Sequence, residues 1–396
     1  MTITDAATAL PTVDVSDERL AGLTAELAAH AEDVDRSGRF PWEGLQAVHE
    51  AGILTAAVKA EHGGHGGLSA VDAVRVFRAL GKGDPSTALI AAMTYIAHGA
   101  FAAIWPAGLY QRVLHESALG PTPINAIRAE PELGAPARGG LPATTVRRTD
   151  DGWVLNGHKG FATGSEGLAY HLVWAVSEDE EPLIGHVVVP SVDADGTPTP
   201  GIRIEPTWDH LGMRGTSTHD VVYTDVHVPA DHFAGVPVGS VPNNAGPADG
   251  SILGVFALYV GVAEAARDFF GEFARTRVPT ALGRPIATTE RLQGVAGQIE
   301  AHLATAQEVL NSLALRADAG DAAVFGRFGL GKVIASRSAI AAVETAVAAL
   351  GNPALTRSHP LERHLRDVLC SRIHPPQDDT ALVGAGRIAL ATPDLP

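Results

Sequence analysis

The residues best suited to chemistry lie in a short turn near the C-terminus, Arg372-Ile-His374-Pro375-Pro376-Gln-Asp-Asp379. Histidine titrates closer to neutrality than any other ordinary side chain, so it can give or take a proton at physiological pH. Two prolines directly after it forbid a helix and fix the backbone beside the imidazole. That rigidity is what a positioned hydrogen-bond donor needs, although a turn carrying an incidental histidine would read the same.

A second histidine, His98, lies in the apolar run 88–105 with Tyr95 one helical turn before it, which would carry both onto one face. A lone histidine on such a face is more often a satisfied core group. Glu61-His62-Gly-Gly-His65-Gly-Gly mixes ligand-type side chains with flexible backbone. No further histidine or carboxylate stands beside it, so it reads as a glycine turn and no metal is expected. Gly326-Arg-Phe-Gly-Leu-Gly331-Lys332-Val333 approaches a phosphate-binding loop. Val333 replaces the magnesium-binding hydroxyl and no strand precedes the run, so its glycines suit close helix packing instead. A dinucleotide fingerprint between strand and helix is absent, as is a nucleophile elbow.

These residues need elements to hold them, and the pattern supplies three blocks. Ser16 is a plausible N-cap for a helix with Leu20, Leu23 and Leu27 on its apolar face. Pro41 and Gly52 bracket a second helix, and Ser69 and Gly81 a third; the run 88–105 predicts a helix buried on all sides that stops at Pro106. From about 121 to 236 the chain turns rich in β-branched residues, Gly and Pro. Asp150-Asp151-Gly152 signals a hairpin, and strands are predicted at 172–176, 186–190, 202–206 and 220–229. Short strands without intervening helices argue for an antiparallel barrel or sandwich. After a Pro/Gly/Asn-rich connector at 237–250, two apolar stripes return, one from Leu292 to Leu310 and one from Val333 to Leu350. Such stripes point to a helix bundle.

Composition narrows the partners. The 396 residues are 45% hydrophobic and 19% charged, which suits a large core. A net charge of −16 disfavours nucleic acid and anionic lipid, so neither is expected as a partner. A single cysteine, Cys370, excludes an intrachain disulfide. The N-terminal residues show no basic and apolar signal pattern, so a cytoplasmic location is expected.

Four segments together resemble the acyl-CoA dehydrogenase superfamily in order and spacing: EHGGHGGLS (61–69), NGHKGFATGSEGLAYHLVWA (156–175), WDHLGMRGTSTHDVVYTDVHVP (208–229) and NPALTRSHPLERHLRDV (352–368). The resemblance implies an α+β, mostly helical fold. It comprises an N-terminal helical domain (1–120), a central antiparallel β-barrel or sandwich (121–236) and a C-terminal four-helix bundle (237–396). It also implies a flavin held between these parts and, usually, a homotetramer.

The family's flavin contacts carry over unevenly. Where the family has Trp-Ile-Thr facing the flavin ring, this chain has Phe161-Ala162-Thr163, which keeps an aromatic face and a hydroxyl. Arg277 matches the arginine that meets the cofactor's diphosphate across a subunit interface, which favours FAD over FMN without deciding between them. Gly351-Asn352 falls where the bundle touches the cofactor's far end. The usual Thr-Glu-Pro reads Ala129-Glu130-Pro131, so one side-chain contact is missing.

Acyl-thioester dehydrogenation needs a carboxylate base for the α-proton. The family places it in a Tyr-Glu-Gly-Thr turn, where this chain has Ile373-His374-Pro375-Pro376. The family's alternative location maps to Gly250-Ser251, with Asp249 the only rescue in reach. The sequence is more similar to the flavin-dependent monooxygenases of this superfamily, such as dibenzothiophene monooxygenase and the amino-sugar nitrososynthases. Ala162-Thr163-Gly164-Ser165 and His374-Pro375 carry that likeness. It implies FAD or FMN delivered reduced by a separate flavin reductase, and a C4a-hydroperoxide that oxygenates a small organic substrate. On that reading His374, His98 and Asn125 are the catalytic candidates, and Tyr95, Trp208 and Asp249 line the substrate pocket. The alternatives are an acyl-CoA or acyl-carrier-protein dehydrogenase and a non-catalytic flavoprotein.

Overall fold

A computed structural model describes residues 9–132, 140–193, 195–240 and 250–390. Helix α1 (Asp17–Ser37) starts where the Ser16 hydroxyl accepts from the Arg19 amide, and it buries Leu20, Leu23, Leu27, Ala31 and Val34 as one stripe. Helix α2 (Trp42–Glu50) follows Pro41, and α3 (Ala70–Gly83) is capped by Ser69, as the turn signals predict. Helix α4 (Pro85–Gly99) is buried on all sides but ends well before Trp105. The Trp105 indole donates back to the Ala97 carbonyl at 3.3 Å, so the chain folds over the helix end instead of extending it. Helix α5 (Ala107–Leu119) completes this block.

Among the described residues eight strands form one sheet: β1 (Ile124–Ile127), β2 (Thr145–Arg148), β3 (Gly152–Lys159), β4 (Tyr170–Ser177), β5 (Leu183–Pro190), β6 (Ile202–Glu205), β7 (Asp220–Pro229) and β8 (Phe233–Pro237). The order is β6-β7-β3-β2-β4-β5-β8, with β1 also on β4. The sheet is mixed where an antiparallel one is expected. β1 and β2 run in the same direction and both lie parallel to β4, at Ile124↔Tyr170 and Thr145↔Val176, so they share one edge of it. The hairpin at Asp150-Asp151 joins β2 to β3, closed by the Thr149 amide on the Gly152 carbonyl.

The remaining helices are α6 (Ile252–Thr276), α7 (Glu290–Asp318), α8 (Phe328–Leu350), the short α9 (Asn352–Leu355), α10 (Leu361–Leu369) and α11 (Asp378–Leu390). Gly81 on α3 and Gly261 on α6 let these two helices touch backbone to backbone. A Cβ on Gly81 would lie 2.2 Å from the Leu258 carbonyl oxygen, and one on Gly261 would lie 2.1 Å from that of Arg78. The first and last blocks consequently share one hydrophobic core running from Leu20 to Cys370, while the sheet keeps its own from Ile127 to Phe233. Helix α8 is long and apolar enough to cross a membrane by composition, and it packs against α6, α7 and α10.

Candidate functional site

His374 lies in the turn between α10 and α11, half-buried, with Nδ1 2.5 Å from the Tyr259 hydroxyl of α6. Tyr259 is fully buried, and burial raises its phenol well above the usual value. Lys332, the lysine of the glycine-rich run, sits inside α8 and not in a loop. Its buried ammonium donates to the Arg372 carbonyl at 3.2 Å and to Asp378 Oδ1 at 3.1 Å, clamping the turn from both ends. Burial, helped by the nearby Lys332 and His210, lowers the His374 imidazole to about 4. The neutral ring is the stable form at pH 7, contrary to the near-neutral titration its residue type suggests.

A second group of residues forms the loop Phe161–Ser165, held rigidly by the segment 213–219. The Ala162 amide donates to the His219 carbonyl, the Gly164 amide to Thr216, and the Ser165 amide to Ser217. Phe161 adopts φ 55°, an unfavourable conformation for an aromatic residue, and leaves 66% of itself exposed. Strain of this kind persists where the surroundings enforce it, often at sites with a task. Thr163 Oγ1 accepts from Thr218 at 3.3 Å, and its own proton has no acceptor among the described residues. Asn125 on β1 is buried and donates to the Thr163 carbonyl at 2.9 Å, so its amide braces the loop. Ala129 contributes its carbonyl to the Gly160 amide at the start of the same loop.

Trp208 and His210 bridge the two groups. Their rings stack at 4.3 Å and 8°. The Trp208 amide donates to His219 Nδ1 at 2.9 Å, while His210 lies close enough to His374 to disfavour its protonation. A chain of contacts thus runs from Cys370, just before the His374 turn, through His210, Trp208 and His219 to the Phe161–Ser165 loop that Asn125 braces.

Several carboxylates among the described residues are already engaged. Asp367 accepts from the Met213 amide at 2.6 Å, and burial raises it to about 7. Asp378 pairs with Lys332 and Arg337, and Arg366 with Asp35 and Glu362. Glu264 accepts from Gln307. Glu130 is buried against Lys159 at 2.7 Å and takes the Ala143 and Thr144 amides. Burial alone would raise the Glu130 carboxyl, but Lys159 and those donors hold it below its ordinary value. Its role is therefore internal to the β-domain.

The other sequence-derived candidates fall in different places. Tyr95 lines a cavity of ≈ 460 Å³ with Gly67, Leu68, Ser251 and Phe325, and its hydroxyl accepts from the Leu68 amide at 2.9 Å. His98 does not join it. It is fully buried against α5, with Nδ1 3.2 Å from the Tyr110 hydroxyl, and burial lowers its imidazole to about 4. The expected pairing of Tyr95 and His98 in one cavity fails because α4 is buried all round, so residues one turn apart face different neighbours. Arg277 and Gly351-Asn352 are exposed at helix ends. Asp249 lies outside the described residues. Sequence reasoning missed Tyr259, His210 and His219; the His-Gly spacing in WDHLG was visible, but nothing local linked it to His374.

Three segments match consecutive family models: residues 18–108 the acyl-CoA dehydrogenase N-terminal domain, 126–226 the middle domain and 253–377 the C-terminal domain. The chain is 30% identical to L-evernosamine nitrososynthase of a Micromonospora species, over 88% of this chain and 83% of that one. A solved structure of KijD3 in complex with FMN and dTDP-3-amino-2,3,6-trideoxy-4-keto-3-methyl-D-glucose superposes with TM-score 0.79. It is 26% identical and covers 98% of this chain and 97% of that one. Identity reaches 32% with the putative acyl-CoA dehydrogenase YdbM of Bacillus subtilis (strain 168), over 92% of this chain and 94% of that relative. Likeness sustained along nearly the whole of both chains, with all three domains in order, places this protein in the acyl-CoA dehydrogenase family.

Proposed function

We propose that this protein is a flavin-dependent monooxygenase that takes reduced flavin from a separate reductase and oxygenates a small organic substrate. The observation that carries the proposal is the anchored, neutral His374 in the turn where a dehydrogenase of this family needs its carboxylate. Two carboxylates that flank this turn, Asp367 and Asp378, are committed to Met213, Lys332 and Arg337.

The residues present suit a flavin. Phe161 offers an exposed aromatic face, and beside it Thr163 is half-exposed with a proton to donate. Phe161, Thr163 and the Gly164-Ser165 backbone would hold the ring system, with Ala129 at its edge. Arg277 and Gly351-Asn352, open in the single chain, would reach its far end across a subunit contact if the cofactor is FAD. The FMN in the KijD3 complex supports the smaller cofactor equally. Exposed apolar residues on α11, including Val383, Ile388 and Leu390, are consistent with a homotetramer.

The bound reduced flavin would supply the electrons that activate dioxygen. Within the protein, Asn125 holds the Thr163 carbonyl and so fixes the loop on which the ring rests. His374 keeps a proton available at its open edge, and the Trp208–His210 stack walls the space between. The cavity beside Tyr95 would take substrate and exclude water.

A dehydrogenase acting on a thioester-linked acyl group is the second reading. YdbM favours it, as does the position of Asp249 immediately before Gly250 and Ser251, which line the Tyr95 cavity. The two readings separate in one experiment: protein loaded with reduced flavin is mixed with oxygenated buffer in a stopped-flow spectrometer. A transient that outlives the reoxidation of free flavin, and that His374→Ala shortens without weakening flavin binding, supports the oxygenase. Reoxidation no different from free flavin, with bleaching of the bound oxidised flavin by an acyl-CoA, would establish the dehydrogenase.

A further inference from the structure

The buried contact between Tyr259 and His374 carries a consequence for the chemistry of the imidazole. We propose that Tyr259 is a positioning residue that sets the tautomer of His374: its phenol donates to Nδ1, so the ring carries its proton at Nε2 as a fixed, neutral donor.

Tyr259 is 1% exposed and sits among buried Leu258, Val260 and Val262 on α6. Its hydroxyl has one hydrogen-bond partner among the described residues, His374 Nδ1 at 2.5 Å. If Nδ1 carried the proton, it would donate to the phenol oxygen and leave the buried phenol proton without a hydrogen-bond acceptor among the described residues. Such stranded donors are avoided in native interiors. If Nδ1 is bare, the phenol proton is satisfied and the ring proton moves to Nε2. Nε2 makes no hydrogen bond within the described chain, and the residue is half-buried, so this is the open nitrogen.

The groups facing His374 agree. Tyr259 approaches from α6, Lys332 from α8 and His210 from the loop before β7; Asp367 in the last turn of α10 and Cys370 just after it act on Tyr259, and Asp378 begins α11. Neither carboxylate pairs with the ring: Asp367 serves Met213 and Asp378 serves Lys332 and Arg337. Without a counter-charge, and with Lys332 near, burial lowers the imidazole to about 4. His374 thus donates a hydrogen bond without changing charge between the weakly acid and weakly alkaline range.

The consequence for oxygenation rests on the function proposed above, but the tautomer does not, and it is read separately. Full-length protein labelled with ¹⁵N-histidine, with and without flavin, gives two-bond proton–nitrogen spectra in which His374 is identified by its loss in His374→Gln. We expect a single Nε2–H tautomer, unchanged as pH falls from neutrality towards 5, still above the depressed value of about 4. In Tyr259→Phe, which removes only the hydroxyl, the pattern should become a mixture of tautomers while the thermal melt stays cooperative. An Nδ1–H pattern in the unmodified protein overturns the proposal, even if the variant does not fold. An unchanged Nε2–H pattern in a folded Tyr259→Phe overturns it too. Neither result depends on whether the protein reacts with oxygen, so a failed oxygenase assay leaves the tautomer result standing.

Discussion

The Asp367 carboxylate accepts a 2.6 Å hydrogen bond from the Met213 amide, although the two residues belong to different blocks of the chain. Met213 holds φ 56°, a left-handed conformation that a side chain as bulky as Met rarely adopts, so the contact stabilises a strained corner. This corner carries Trp208 and His210 on one side and Thr216 to Thr218 on the other. It therefore sets the distance between the His374 turn and the Phe161–Ser165 loop.

Burial raises the Asp367 carboxyl from 3.8 to about 7, so the folded state binds a proton more tightly than the unfolded one. Its contribution to stability is full below pH 3.8 and is lost as pH rises towards 7. Asp367→Asn keeps an oxygen acceptor without the charge, and its stability should fall less steeply than the parent's between those limits. Asp367→Ala leaves the Met213 amide unpaired and should cost about 1–3 kcal/mol. Thermal melts across that pH range check both; identical slopes for parent and Asn variant would refute the raised carboxyl.

Lys332 anchors the His374 turn from within α8 without touching Nε2. Lys332→Met preserves most of the buried stem but releases the Arg372 carbonyl and Asp378. Misplacement on the scale of 1 Å can cost on the order of 100-fold in rate. The expected outcome is at least a tenfold fall in kcat with flavin affinity retained, measured by steady-state turnover and fluorescence titration. Full activity in the variant would show that the turn holds itself.

Glu130 and Lys159 form a buried pair at 2.7 Å, with the lysine lowered to about 8 by burial despite its partner. Removing one member strands the other charge, which costs about 3–5 kcal/mol, whereas removing both is far milder. Urea unfolding of Glu130→Gln, Lys159→Met and the double variant should therefore show strong non-additivity. Additive losses would mean that the pair contributes little as a pair.

His98 loses its proton more readily in the fold than in the unfolded chain, about 4 against 6.5. The stability it supports is present above 6.5 and is lost as pH falls towards 4. His98→Leu should flatten the acid limb of the stability curve by up to one proton, about 1.4 kcal/mol per pH unit. Melts at mildly acid pH test this, and an unaltered slope would show that water or another group satisfies the ring.

Much of the helical frame was legible because its cause is local. Ser16, Ser69 and the leucine stripe of α1 act within a few residues, and the structure keeps them. Helix α6 left no stripe to read, since Leu253 to Glu264 are buried without interruption. β1 and β2 have four residues each, and neither INAI nor TVRR shows the clear alternation that IRIE of β6 shows at the same length. Their parallel placement on β4 depends on the path of the connecting chain.

For the site, the sequence alone determined the residue types: a histidine before two prolines where a carboxylate is required, and an aromatic residue and a threonine in the Phe161–Ser165 loop. It also determined that Lys332 could not serve a phosphate loop, because Val333 lacks a hydroxyl. Tertiary structure decided the rest: that Tyr95 meets a cavity while His98 does not, that Glu130 is spent on Lys159, and that His374 is held neutral by burial near Lys332 and His210 and met at Nδ1 by Tyr259. The physical reason is distance along the chain. Periodicity and capping act over a few residues, whereas the partner that fixes the state of His374 lies 115 residues before it and meets it only when α6 packs against the terminal turn.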